Sequence, residues 1–94
     1  MPDKEHPISV LCDAHVIPML MFLDDNGPRC KTEIYAAVGR SASMPQKIDR
    51  MVSAGLAEVS TVGISEIVGL TELGRSVAGR LREIDRLMFE DRRQ

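Results

Sequence analysis

Along this chain the spacing of apolar residues switches between a helical and a strand period, and the switches delimit the elements. The stretch DAHVIPMLMFLDDNGP, from residue 13, places Val16, Leu20 and Leu23 on one helical face, broadened by Ile17, Met19 and Met21. A helix that is apolar nearly all round belongs at the centre of a fold. Asp13 is its expected N-cap, Asn26-Gly27 its end, and Pro28 seals the stop. Pro18 falls in the opening turn, where a missing amide costs least. A short second helix is expected from an N-cap at Thr32 to Val38, burying Ile34, Ala37 and Val38, with a turn over 39–42 (GRSA).

Ser43-Met44-Pro45-Gln46 then reads as a capping box, in which Ser43 and Gln46 satisfy each other's backbone amides, with Pro45 tolerated in the first turn. Ile48, Met51 and Val52 form the buried stripe of this third helix, about 43–55. Gly55 closes it and Leu56 supplies the apolar contact of a glycine C-cap. Two short strands follow, over about 57–62 and 65–70, turning around Gly63. In IVGLTELGRS, residues 67–76, strand passes into helix with no loop between. Ile67 and Val68 are β-branched strand formers, whereas Leu73, Val77, Leu81, Ile84 and Met88 recur at helical spacing. Thr71 is the expected N-cap, and Glu72 places a negative charge at the helix's positive end. Gly74 is a poor helix former, so close packing against the preceding strand is its expected role.

Composition narrows the class. At 94 residues, 44% hydrophobic and 28% charged, the chain suits one folded domain with one core. Aromatics make up only 3%, so Met, Leu, Ile and Val must fill that core. The acidic start MPDKEHP is unlike a secretory signal, no apolar run approaches the roughly 20 residues needed to span a bilayer, and no membrane association is expected. Two cysteines, Cys12 and Cys30, are too few for a disulfide scaffold, and the expectation is a reducing cytoplasm.

The net charge is −2, but it is unevenly spread. Residues 1–28 set Lys4 against five acids. Residues 29–50 set Arg29, Lys31, Arg40, Lys47 and Arg50 against Glu33 and Asp49. Residues 51–74 hold three Glu and no Lys or Arg, and residues 75–94 hold six Arg against four acids. The basic block at 29–50 is where an anionic partner is sought.

The order is helix, short helix, turn, helix, hairpin, long helix. The second and third helices have the geometry of a helix-turn-helix, and the hairpin after them is a wing. The residues NGP (26–28), EI (33–34), IDRMVSAGL (48–56) and GLTELGR (69–75) resemble the winged helix-turn-helix regulators, particularly the MarR, PadR and HxlR groups. The likeness spans residues 14 to about 80. It implies a mainly α fold with a three-helix core, a two-stranded wing and a long C-terminal helix. The expected division is a polar N-terminal segment over 1–12, the winged domain over 13–71, and a C-terminal helix over 72–94 for dimerisation.

The resemblance also implies a sequence-specific transcriptional regulator with its third helix in the major groove of double-stranded DNA. With 48, 51 and 52 inward, Ser43, Gln46, Lys47, Arg50 and Ser53 face outward, and their lengths and donors suit base edges and phosphates. Arg29, Lys31 and Arg40 are placed to hold phosphates at the motif's edges. Residues 72–91 would extend roughly 30 Å, longer than so small a domain covers. Val77, Leu81, Ile84 and Met88 match a coiled-coil seam, so a homodimer reading an inverted repeat is expected. One departure stands out: the wing tip, Thr61-Val62-Gly63-Ile64-Ser65, lacks Lys and Arg and is flanked by Glu58 and Glu66. An apolar tip suits a protein partner equally, so the competing reading is a docking module that does not bind DNA.

Other chemistry finds little purchase. His6, Cys12, His15 and Cys30 share no zinc-site spacing. Without a basic neighbour, Cys12 is expected to be an ordinary half-buried thiol. Asp24-Asp25 read as a solvated helix end without a nucleophile or His beside them. Neither a P-loop nor a triad order is present. The expectation is a non-enzyme without cofactor or metal.

Overall fold

The computed structural model describes residues 6–92. A 3-10 helix, Pro7–Cys12, precedes helix α1, Val16–Asn26. Val10 and Leu11 pack against the core, so this stretch is more than the polar segment expected for 1–12; residues 1–5 lie outside the described residues. Asp13 does not cap α1. The cap position is His15, in the left-handed region at φ 79°, with no side-chain bond to the helix. The first intrahelical bond runs from the Met19 amide to the His15 carbonyl, at 2.9 Å. Pro18 thus occupies the third helical position, where no amide is needed.

Helix α2, Lys31–Val38, begins earlier than Thr32 would have it. Its cap position is Cys30, and the Glu33 carboxylate reaches back to accept the Cys30 amide at 3.3 Å and its thiol at 3.4 Å. Of the apolar residues assigned to its inner face, Ile34 is buried, Val38 is half-buried and Ala37 is exposed. Arg29–Cys30 form a short strand, β1, directly before it.

Helix α3, Met44–Ser53, also departs from the expected cap. Ser43 has ψ near 2° instead of the extended backbone a capping side chain needs, and its hydroxyl pairs with that of Ser41 at 3.1 Å. The capping box is therefore not made, and Gln46 is exposed. The buried stripe is Met44, Ile48 and Met51, spaced four and three; Val52, assigned to it from the sequence, is 39% exposed. The end follows the pattern of a Schellman motif. Gly55, at φ 81°, donates to the Val52 carbonyl at 3.0 Å, and Leu56 donates to Met51 at 2.9 Å.

Strands β2, Ala57–Val62, and β3, Ser65–Leu70, pair antiparallel with Val62 opposite Ser65. The loop is Gly63-Ile64, with Gly63 at φ 63°, as a II′ hairpin requires. Among the described residues the sheet has three strands instead of two, because β1 pairs with the other edge of β3, setting Arg29 opposite Val68 and Cys30 opposite Ile67.

Helix α4, Glu72–Arg92, starts as expected from Thr71, whose hydroxyl accepts the Gly74 amide at 3.0 Å. The same hydroxyl donates to the Gly55 carbonyl at 2.5 Å, tying the end of α3 to the start of α4. α4 buries Gly74 and Ala78, and Val77 and Leu81 lie at the margin of the core. Arg82 draws it to the end of α1: it donates to Asp24 at 3.0 Å, to Asp25, and to the Met21 carbonyl at 3.3 Å. Asp24 and Asp25 are therefore not a free solvated end. The bond to Asp24 is the main reason that the Arg82 pKa is raised.

The core of α1, α2, α3 and the sheet is filled without a buried aromatic ring. Its largest enclosed side chains include Met19, Met44 and Met51, alongside Leu20, Ile34 and Ile48. Flexible thioethers fill irregular gaps well. Beyond Arg82 every described residue of α4 is exposed. The radius of gyration is 14.0 Å, against roughly 12 Å for a compact chain of this length. The helix that overhangs the domain accounts for that excess.

Candidate nucleic-acid interface

At about 100° per residue, a helix that buries Met44, Ile48 and Met51 turns Gln46, Asp49, Arg50 and Ser53 to the opposite side. All four are exposed. Ser43 is exposed at the N-terminal end, whereas Lys47 lies on the flank and is half-buried. The face is mixed in charge, because Asp49 stands within it.

Two of the expected cations are already paired. Arg50 Nη1 donates to Asp13 Oδ2 at 2.5 Å, with the two side chains 58% and 26% exposed. Lys31 Nζ meets Glu66 Oε1 at 2.7 Å, joining the start of α2 to the wing. The Lys31 pKa is raised, chiefly by that hydrogen bond, with partial burial opposing it and the Glu66, Tyr35 and Asp49 charges reinforcing it. Asp13 and Glu66 were not expected as partners; each stands far from its cation in the sequence, and no short-range spacing marks either pair.

The other cations are less engaged. Arg29, half-buried on β1, donates through Nη1 to the adjacent Pro28 carbonyl at 2.8 Å. Arg40 is exposed in the turn between α2 and α3. Among the described residues, neither Arg40 nor Lys47 is in an ion pair. The wing tip is apolar as well as uncharged: Val62 is 65% exposed, and Ile64 is fully exposed.

A half-open apolar groove of about 360 Å³ runs between the 3-10 helix and α4. Ile8 and Leu11 line it on one side, and Val77, Leu81 and Ile84 on the other. Farther along α4, Leu87 and Met88 are 67% and 59% exposed. Cys12 and Cys30 are free thiols, and Cys12 is exposed where a half-buried side chain was expected. Among the described residues, no cluster of His, Cys, Asp and Glu has metal-site geometry, and no helix is long and apolar enough to cross a membrane.

No protein-family model matches the sequence, and no curated protein matches it. Solved structures do match. Rv0081 from Mycobacterium tuberculosis superposes with a TM-score of 0.80 at 18% identity, over 97% of this chain and 94% of that one. Bordetella bronchiseptica BpsR, whose DNA binding is regulated by 6-hydroxynicotinic acid, gives 0.73 at 20% identity. The match covers 97% of this chain but 64% of BpsR, so this chain spans less than two thirds of that protein. A probable transcriptional regulator from Pseudomonas aeruginosa gives 0.64 at 18% identity, over 89% of this chain and 74% of the other. The fold is that of the winged helix-turn-helix regulators.

Proposed function

We propose that this protein is a cytoplasmic, non-enzymatic transcriptional regulator that binds double-stranded DNA as a homodimer, with α3 in the major groove. The observation that carries the reading is the outer face of α3. Gln46, Arg50 and Ser53 stand exposed together, Ser43 begins the helix and Lys47 flanks it, all presented by a helix-turn-helix. Arg40, in the turn, and Arg29, on β1, supply charge for phosphates at the motif's edges. Lys31 contributes less than its charge implies, because Glu66 neutralises it locally. The neighbours of like fold include a probable transcriptional regulator and a protein with regulated DNA binding.

The dimer reading rests on α4. Val77, Leu81 and Ile84 line one apolar groove, and Met88 extends the same face beyond the domain, with Leu87 exposed beside it. A second copy of the helix is the occupant that the exposed apolar surface of α4 favours. Two such copies would set their α3 helices about 34–36 Å apart on an inverted repeat.

A second reading has its own observation, the exposed Val62 and Ile64 at a wing tip without cations. In it the wing docks a protein and α3 contacts no DNA. Titration of duplex DNA with Lys47→Ala, Arg50→Ala, Val62→Asp and Ile64→Asp separates the two. Weakened binding in the α3 pair supports the DNA reading. Unchanged affinity in both α3 variants contradicts it.

A further inference from the structure

The Arg50–Asp13 pair joins the outward face of α3 to a segment outside the helix-turn-helix. Asp13 lies between the 3-10 helix and α1, and its backbone is held at both ends. Its amide donates to the Val10 carbonyl at 3.3 Å, and its carbonyl accepts the Val16 amide at 3.2 Å. The carboxylate therefore projects from a fixed point and is the more enclosed member of the pair, 26% exposed against 58% for Arg50.

We infer that Asp13 is a positioning residue that holds the Arg50 guanidinium as a reader of guanine in the major groove. The inference rests on the DNA-binding reading above and adds to it the residue that sets base preference. A guanidinium has five donors in a planar fork. Asp13 engages Nη1, while Nε and Nη2 carry no bond among the described residues. Those donors remain for the O6 and N7 acceptors of guanine, the commonest partners of an arginine in the major groove. A long side chain ordered before binding loses less freedom when it binds. Asp13 also places a negative charge beside α3, where it disfavours phosphate. Non-specific attachment is lowered while base reading is kept, so the ratio of specific to non-specific binding rises.

A surface ion pair that merely fastens the N-terminal segment to α3 would behave differently, because its loss would not alter preference at any base. Binding-site selection from a randomised duplex library distinguishes the two, using the full chain as wild type, Asp13→Ala, Arg50→Ala, the double variant and Lys47→Ala. The expected wild-type motif contains a guanine that Arg50→Ala no longer selects. Asp13→Ala should lose preference at that same position by on the order of tenfold, bind random duplex more tightly at low salt, and leave the double variant no less selective than Arg50→Ala. Asp13→Asn, which preserves side-chain shape, should shift in the same direction by less. It serves as the test if the alanine variant melts early.

Retention of the guanine by both Asp13 variants, when Arg50→Ala loses it, overturns the inference and leaves the DNA reading intact. Retention by Arg50→Ala overturns it too, with Lys47→Ala still reporting on DNA binding. If wild type enriches no sequence and Lys47→Ala is silent, the reading itself falls and takes the inference with it.

Discussion

A β-carbon built on Gly74 would lie 2.0 Å from the carbonyl oxygen of Leu56. The first turn of α4 therefore rests directly on the backbone that leaves α3, and only a hydrogen fits between them. The neighbouring Thr71 amide donates to the same Leu56 carbonyl at 3.0 Å. Backbone cannot retreat as a flexible side-chain end can, so Gly74→Ala should destabilise the fold by about 3 kcal/mol. Gly79 is the internal control. Among the described residues nothing lies within 4 Å of a β-carbon there, and Gly79→Ala should be neutral or stabilising, by up to about 1 kcal/mol. Urea unfolding of the two variants measures both.

Thr71 holds the same joint by a different means. Its hydroxyl accepts from Gly74 and donates to Gly55, so one oxygen links the exit of α3 to the entry of α4. Thr71→Ala should cost about 1–2 kcal/mol, and Thr71→Ser should recover most of it. Thermal melting monitored by circular dichroism reads the difference.

The Lys31–Glu66 bridge carries a definite pH signature. The folded-state pKa of Lys31 is raised above its ordinary 10.5. Its contribution to stability is therefore fully present below that value and is lost as pH rises through the raised folded value. The pair is partly exposed, so the contribution is small, below about 1 kcal/mol. Glu66→Gln should remove this alkaline loss without altering the neutral-pH fold. Denaturant unfolding between neutral pH and pH above 10.5 checks it.

Oligomeric state follows from α4. Ile84→Asp or Leu87→Asp places a charge on its exposed apolar surface, away from the domain's own core. Light scattering at micromolar concentration should show a dimer for wild type and a monomer for either variant, with the melting of the separated domain little changed. A wild-type monomer contradicts the dimer reading.

Much of the fold was legible because period and punctuation agree along the chain. The turn at Gly63, the Gly55-Leu56 stop and the Thr71 cap depend on interactions within a few residues, and the bounds 57–62 and 65–70 follow from one hairpin around that turn, which a sequence displays. The helix starts were less legible. Asp13 and Ser43 have good capping side chains, yet Asp13 is drawn to Arg50 and Ser43 to Ser41. Glu33 makes a cap at Cys30 instead of Thr32. β1 was missed because two residues show no alternation, and Val52 because the inward stripe of α3 runs 44, 48, 51. At the candidate interface, the residue types on α3 were readable. The neutralising partners, Asp13 for Arg50 on α3 and Glu66 for Lys31 on α2, were not, since tertiary folding alone brings them together.

Contact of α3 and its edges with a phosphate backbone is tested most directly by fluorescence anisotropy of a random duplex, titrated with wild type, Lys47→Ala and Arg40→Ala across a range of salt concentrations. Log affinity should fall linearly with log salt, and each substitution should weaken binding to every sequence and flatten the slope by about one unit. Absence of binding at low salt, or slopes identical in all three proteins, would contradict the account.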